Sequence, residues 1–194
     1  MYLNQNRAEP GDTITLTIEA NEPLDYLEET DVSMSGTRVS ISSVTASDEG
    51  RTWVATGTVQ DTSDSDEELS YSIVSFQDEA GNSGTPPTVS IDYGGPDSDP
   101  IVIDTIAPVI TNVSLITSNP NSGFAKAGDY LTLSFTTSEV VRNPLDYLNI
   151  QGVGPIDLST SDNGTTWIAT AQVQVGASGT PSLSLEVLDQ AGNR

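Results

Sequence analysis

The sequence predicts an all-β chain built as two tandem β-sandwich units. Three observations predict it. Apolar residues alternate with polar ones at a period of two, turn signals of Gly, Asp, Asn and Pro recur every few residues, and one ordered set of motifs occurs twice. No stretch carries a 3.6-residue apolar stripe with helix caps.

The elements follow in order. Over residues 13–20, Ile14, Leu16 and Ile18 fall on one face and Thr or Glu on the other, the mark of a strand with one buried side. Further strands are expected at 32–34, 39–44, 52–59, 70–76 and 88–93. The second unit opens with a long strand over 104–117 (DTIAPVITNVSLIT), its apolar part at 109–116. Leu131, Leu133 and Phe135 then repeat the alternation of Ile14, Leu16 and Ile18, followed by candidates at 148–150, 156–158, 166–173 and 183–188.

The repeat sets the domain count. PGDTITLTIEANE at 10–22 reads against AGDYLTLSFTTSE at 127–139, with Gly11 and Gly128 offset by 117 residues. SDEGRTWVATGTVQ at 47–60 matches SDNGTTWIATAQVQ at 161–174, offset by 114, and DEAGN at 78–82 matches DQAGN at 189–193, offset by 111. PLDYL occurs at 23–27 and again at 144–148. Ordered matches with a slowly drifting offset mean one unit copied with loop insertions, so the domains are expected at 1–103 and 104–194. The copies are out of phase with the chain ends. The first unit has too few residues before its PGD turn for the opening strand of the second, and the second stops at DQAGNR without a closing strand like TPPTVSIDY. A piece of a longer array is the expectation.

Composition excludes several classes. The chain has 194 residues, 6 Lys+Arg against 28 Asp+Glu, a formal charge of −22, and no His or Cys. A disulfide framework, a zinc finger, a thiol nucleophile and a Ser-His-Asp triad are therefore out. So negative a chain repels phosphate backbones and anionic lipid, so neither nucleic acid nor membrane insertion is expected. No apolar run approaches the roughly 18 residues of a membrane span, and the start MYLNQNRAEPGDT has no signal-peptide core.

The string IDTIAP opening a unit, Gly-Asp before the second strand, a Thr-Trp strand and a closing Asp-x-Ala-Gly-Asn turn together resemble the bacterial Ig-like repeats of large surface adhesins. The resemblance covers nearly the whole chain. It implies two tandem immunoglobulin-like sandwiches of about seven strands each, an elongated stalk, a bacterial cell-surface location, neighbouring repeats of the same parent chain as partners, and calcium at the junctions. Any surface or glycan receptor would then be met by other domains, and this piece would be a monomer.

In such a sandwich the strand-joining loops gather at two ends. The top of the second unit is expected to collect Asp104, Glu139, Asp189 and Asn193. The bottom of the first collects Asp12 and the acidic loop 61–68 (DTSDSDEE), with Asp97 and Asp99 supplied by the connector. Glu22, Asp78 and Asn82 are the matching top set of the first unit. Calcium takes about six to eight hard oxygens, and carboxylates from separate segments supply them; no EF-hand loop is present. Asp and Asn also populate turns for a local reason, since their side chains bond nearby backbone amides.

Other readings compete. Exposed Trp53 and Trp167 would suit sugar stacking, but each begins a Trp-x-Ala alternation that places the ring on the inward face. Tyr26 and Tyr147 in PLDYL read as edge residues. The Thr-rich faces (Thr13, Thr15, Thr17; Thr132, Thr136) are what solvated strands prefer, Asn112-Val-Ser and Asn163-Gly-Thr match a low-specificity glycan pattern, and no carboxylate pair stands out as catalytic. The expected function is a non-catalytic, calcium-stiffened extender. The alternative is an extracellular fibre or matrix subunit that assembles through open edge strands, and a carbohydrate-binding module comes third.

Overall fold

The computed structural model describes residues 6–60, 65–85 and 100–194. The strand expected at 88–93, Asp97, Asp99 and the first half of the acidic loop lie outside them. The chain divides into two compact units, residues 2–106 and 107–194.

In the first unit the strands are β1 (Arg7–Ala8), β2 (Thr13–Glu19), β3 (Leu24–Tyr26), β4 (Val32–Met34), β5 (Val39–Ser47), β6 (Thr52–Val59), β7 (Glu67–Glu68), β8 (Tyr71–Ile73), β9 (Gln77–Asp78) and β10 (Val102–Ile103). One sheet runs β2-β6-β5, antiparallel throughout. The other is assembled from two short ladders, β4-β8 and β1-β10-β7. Because β7 and β8 are consecutive stretches of one run, the ladders continue each other through Ser35 N–H to Ser70 O and Leu69 N–H to Ile101 O, both 2.7 Å. Ile14, Trp53, Ala55 and Val59 from the first sheet meet Val32, Met34, Ile73 and Ile103 from the second in a single buried cluster. This is a sandwich.

The second unit contains β11 (Ile110–Thr117), β12 (Tyr130–Thr137), β13 (Leu148–Ile150), β14 (Asp157–Thr160), β15 (Thr166–Gln172) and β16 (Leu183–Leu185). Its main sheet runs β11-β12-β15-β14, and β13-β16 forms the facing ladder. Leu131, Leu133, Phe135, Trp167 and Ala169 pack on Leu148, Ile150 and Val187. Phe135 and Trp167 stack with centroids 6.5 Å apart and planes at 12°.

The repeat extends down to single hydrogen bonds. Gly11 N–H donates to Val59 O at 2.9 Å, and Gly128 N–H to Val173 O at 3.0 Å. Trp53 Nε1 donates to Gly50 O at 2.9 Å and Trp167 Nε1 to Gly164 O at 3.0 Å, so each core indole ties down the turn that precedes it. That turn demands glycine. Gly164 sits at φ +122°, and a Cβ there would lie 3.1 Å from the Val141 carbonyl oxygen. Gly164→Ala is expected to cost the second unit about 1–3 kcal/mol, read from its denaturant midpoint. Gly128→Ala, at φ +94° with open space around the added methyl, should cost less.

Several expectations need correction. The opening strand of the second unit begins at Ile110, because Pro108 has no N–H to give a ladder and Val102–Ile103 already pairs with β1 and β7 in the first unit. The run expected at 70–76 is a strand only over Tyr71–Ile73, with Gln77–Asp78 separate, and that expected at 183–188 only over Leu183–Leu185. The two PLDYL segments are not structural equivalents. The first forms β3, paired with β9, whereas Leu145–Tyr147 of the second is a 3-10 turn. Leu24, paired with Asp78, instead corresponds to Val141, bridged to Asp189, which keeps the offset at 117 residues.

Candidate metal centre

The closing Asp-x-Ala-Gly-Asn turn is built twice in the same way. Asp78 Oδ1 accepts from the N–H groups of Ala80 and Asn82 at 2.9 and 2.8 Å, and its Oδ2 from Asn82 Nδ2 at 2.7 Å. Asp189 Oδ1 accepts from Gly192 and Asn193 N–H at 2.6 and 2.9 Å, and its Oδ2 from Asn193 Nδ2 at 2.7 Å. Asp and Asn recur here first because each pair closes its own turn. The bonds from Asn82 hold the Asp78 carboxyl below the usual carboxylate range. Asp162, accepting from Thr166 and Thr165 in the turn before β15, is held lower still.

The two turns differ in burial. Asp189 is fully buried, while the side chain of its counterpart Asp78 is partly exposed. Asp189 is bridged to Val141, and Arg142 N–H donates to Leu188 O at 2.8 Å, which docks the segment carrying Glu139 against the turn. The Arg142 guanidinium adds bonds of 2.6 and 2.8 Å to the carbonyls of Gln190 and Ala191. Thr137 Oγ1 donates to the Glu139 carbonyl at 2.6 Å. The outcome is a carboxylate pair: Glu139 and Asp189 place oxygens within 4.8 Å of each other. Their donor atoms are all hard oxygens in a chain without His or Cys, a set that fits calcium or magnesium and not zinc or copper.

Asp104 belongs to the first unit, fully buried at the end of β10. It forms an ion pair with Arg7 and accepts Ile106 N–H at 3.2 Å through Oδ1. Arg7 also reaches Asp66 at 3.1 Å. The buried Arg38 holds Ser65 and Glu67 of the acidic loop, donating to Glu67 Oε2 at 3.0 Å and to Ser65 O at 2.8 Å. Arg7, Arg38 and Arg142 are the residues that sequence reasoning passed over. Their signal was scarcity, since a chain with six cations spends each one where anions or carbonyls crowd.

The remaining candidates are placed separately. Asp12 closes its own turn, its Oδ2 accepting Glu9 N–H at 3.1 Å. Its counterpart Asp129 does the same with Lys126 N–H at 2.9 Å and takes a further bond from Asn119 Nδ2 at 2.7 Å, which holds its carboxyl below the usual carboxylate range. Glu22 is exposed and lines, with Asp78, Asn82, Ile18, Leu24 and Phe76, a cleft of about 450 Å³ in the first unit. The tryptophans are core residues, 7% and 5% exposed, so neither ring is a sugar platform. Tyr26 and Tyr147 lie at the surface, 38% and 42% exposed.

Residues 2–94 match the family model described as the bacterial Ig-like domain. The first unit belongs to that family. The match points to a module of a bacterial surface protein, and the Ig-like sandwich described above is the fold it implies. Neither the curated proteins nor the solved structures compared with this chain contain a match. Among the described residues, no helix is long and apolar enough to cross a membrane.

Proposed function

We propose that the chain is a non-catalytic extender, two tandem Ig-like domains of a bacterial surface protein, stiffened by calcium where the domains meet. The observation that carries this reading is the Glu139–Asp189 pair. Two carboxylates with oxygens within 4.8 Å, one of them fully buried, repel in a medium that screens charge poorly, and a divalent cation cancels that repulsion. Within the same unit the Asn193 side chain carries a further oxygen. The net charge of −22 acts in the same direction, because folding brings like charges together and bound cations offset them. A loose joint lets tandem domains coil and lose reach; a bridged joint keeps them extended.

Magnitudes make calcium worthwhile. With a dissociation constant of about 0.1 mM, typical of the tighter extracellular modules, a hundredfold excess of free ion adds about 2.7 kcal/mol. For domains of roughly 90–100 residues that raises the melting temperature by about 10 °C or more. Scanning calorimetry in about 10 mM calcium against excess chelator should show this shift, and Glu139→Gln should shrink or abolish it. A melting temperature that ignores calcium would refute the reading.

A further inference from the structure

Four strands border the two main sheets at their edges, and three of them are blunted. β5 carries a bulge between Ile41 and Ser43, β11 one between Ile110 and Asn112, and β14 is four residues long and begins with Asp157. Such devices keep an edge from pairing with other chains. β2 has none. It runs seven residues against β6 without a register shift, and Thr13 to Ile18 is uncharged and strongly β-forming. Among the described residues, nothing pairs with its outer side.

The second unit shows what occupies the equivalent edge. β2 corresponds to β12: Leu16 lies opposite Ala55 and Ile18 opposite Trp53, as Leu133 lies opposite Ala169 and Phe135 opposite Trp167. On β12 the outer edge is taken by β11, antiparallel, with Leu115 facing Leu133 and Val113 facing Phe135. With that edge paired, Leu133 and Phe135 are 0% and 1% exposed, whereas Leu16 and Ile18, on the unpaired strand, are only partly buried. Ile18 also lines the open cleft beside the end of β2.

We propose that the outer edge of β2 is a strand acceptor for an extended segment with the alternation of Ile110–Thr117, taken up antiparallel. The register follows from the 117-residue offset: Thr117 of the segment opposite Ile14, Leu115 opposite Leu16, and Val113 opposite Ile18. The incoming backbone completes the ladder on β2 as β11 does on β12. This goes beyond the extender reading and does not depend on calcium.

The test uses the full chain and a synthetic peptide of residues 109–118. Hydrogen exchange of the β2 amides should slow at least tenfold with peptide, and isotope-edited nuclear Overhauser contacts should join peptide Leu115 to Leu16. A peptide carrying Val113→Asp and Leu115→Asp, or one N-methylated at alternate amides, should do neither. The proposal is overturned by three results: unchanged β2 exchange at saturating peptide, protection that falls on β12 instead, or concentration-dependent dimers of the chain alone that already protect β2.

Discussion

Trp167→Ala is expected to lower the stability of the second unit by about 3–5 kcal/mol, enough to leave much of it unfolded at 37 °C. The ring is 5% exposed, stacks on Phe135, and donates from Nε1 to Gly164 O at 3.0 Å. Truncation therefore opens a cavity, removes the stack and frees a turn that glycine already holds at φ +122°. Trp53→Ala should do the same to the first unit through its bond to Gly50 O. Two-stage unfolding, with the early stage moving from one unit to the other according to which tryptophan is removed, is the expected signature by tryptophan fluorescence and circular dichroism. Loss of less than about 1 kcal/mol would mean that the indoles are not the core plugs described here.

The second large effect is at Asp189. Its carboxylate satisfies three donors of the closing turn, and the residue is fully buried. In Asp189→Ala those donors lose their acceptor without gaining water, at a cost of about 2–4 kcal/mol in calcium-free buffer. Asp189→Asn keeps the shape but sets an amide donor against the N–H groups, and should recover only part of the loss. The same substitution at Asp78, whose side chain is partly exposed, should cost less, because water replaces the lost acceptor. Denaturant titration of the three variants with excess chelator isolates this local role from any part played by a cation.

The fold was legible where alternation is strong and both faces are distinct. The expected strands at 52–59 and 148–150 coincide with β6 and β13, because Trp53, Ala55, Val59 and Leu148, Ile150 have a single way to face inward. The inward tryptophans and the paired Gly-Asp and Asp-x-Ala-Gly-Asn turns were legible for the same reason: each demands a residue type at a fixed backbone geometry. PLDYL was misleading because five identical residues impose no fold of their own; pairing with β9 makes one copy a strand, and no equivalent ladder holds the other. The opening strand was overextended because its expected span began at Asp104, and Pro108 within that span has no N–H to give a ladder.

For the site, the recurrence of Asp78 and Asp189 drew attention to the two closing turns. It did not separate the local task of those carboxylates from ion binding, since both use the same oxygens. Burial distinguishes the two turns themselves: the Asp189 turn is sealed and set beside Glu139, and the Asp78 turn is open. Nor did the acidic loop read correctly as a ligand reservoir throughout, because Asp66 and Glu67 are taken by Arg7 and Arg38. Tertiary pairing of that kind leaves no trace in local sequence.

The most direct test is a calcium titration followed by nuclear magnetic resonance on the chelator-stripped chain. Saturable shifts confined to Glu139 and the Asp189–Asn193 turn, with an apparent dissociation constant of about 0.1–1 mM and their loss in Glu139→Gln, are the predicted result. Small, unsaturated drifts spread over acidic residues at large, with those two segments no different from the rest, would contradict it.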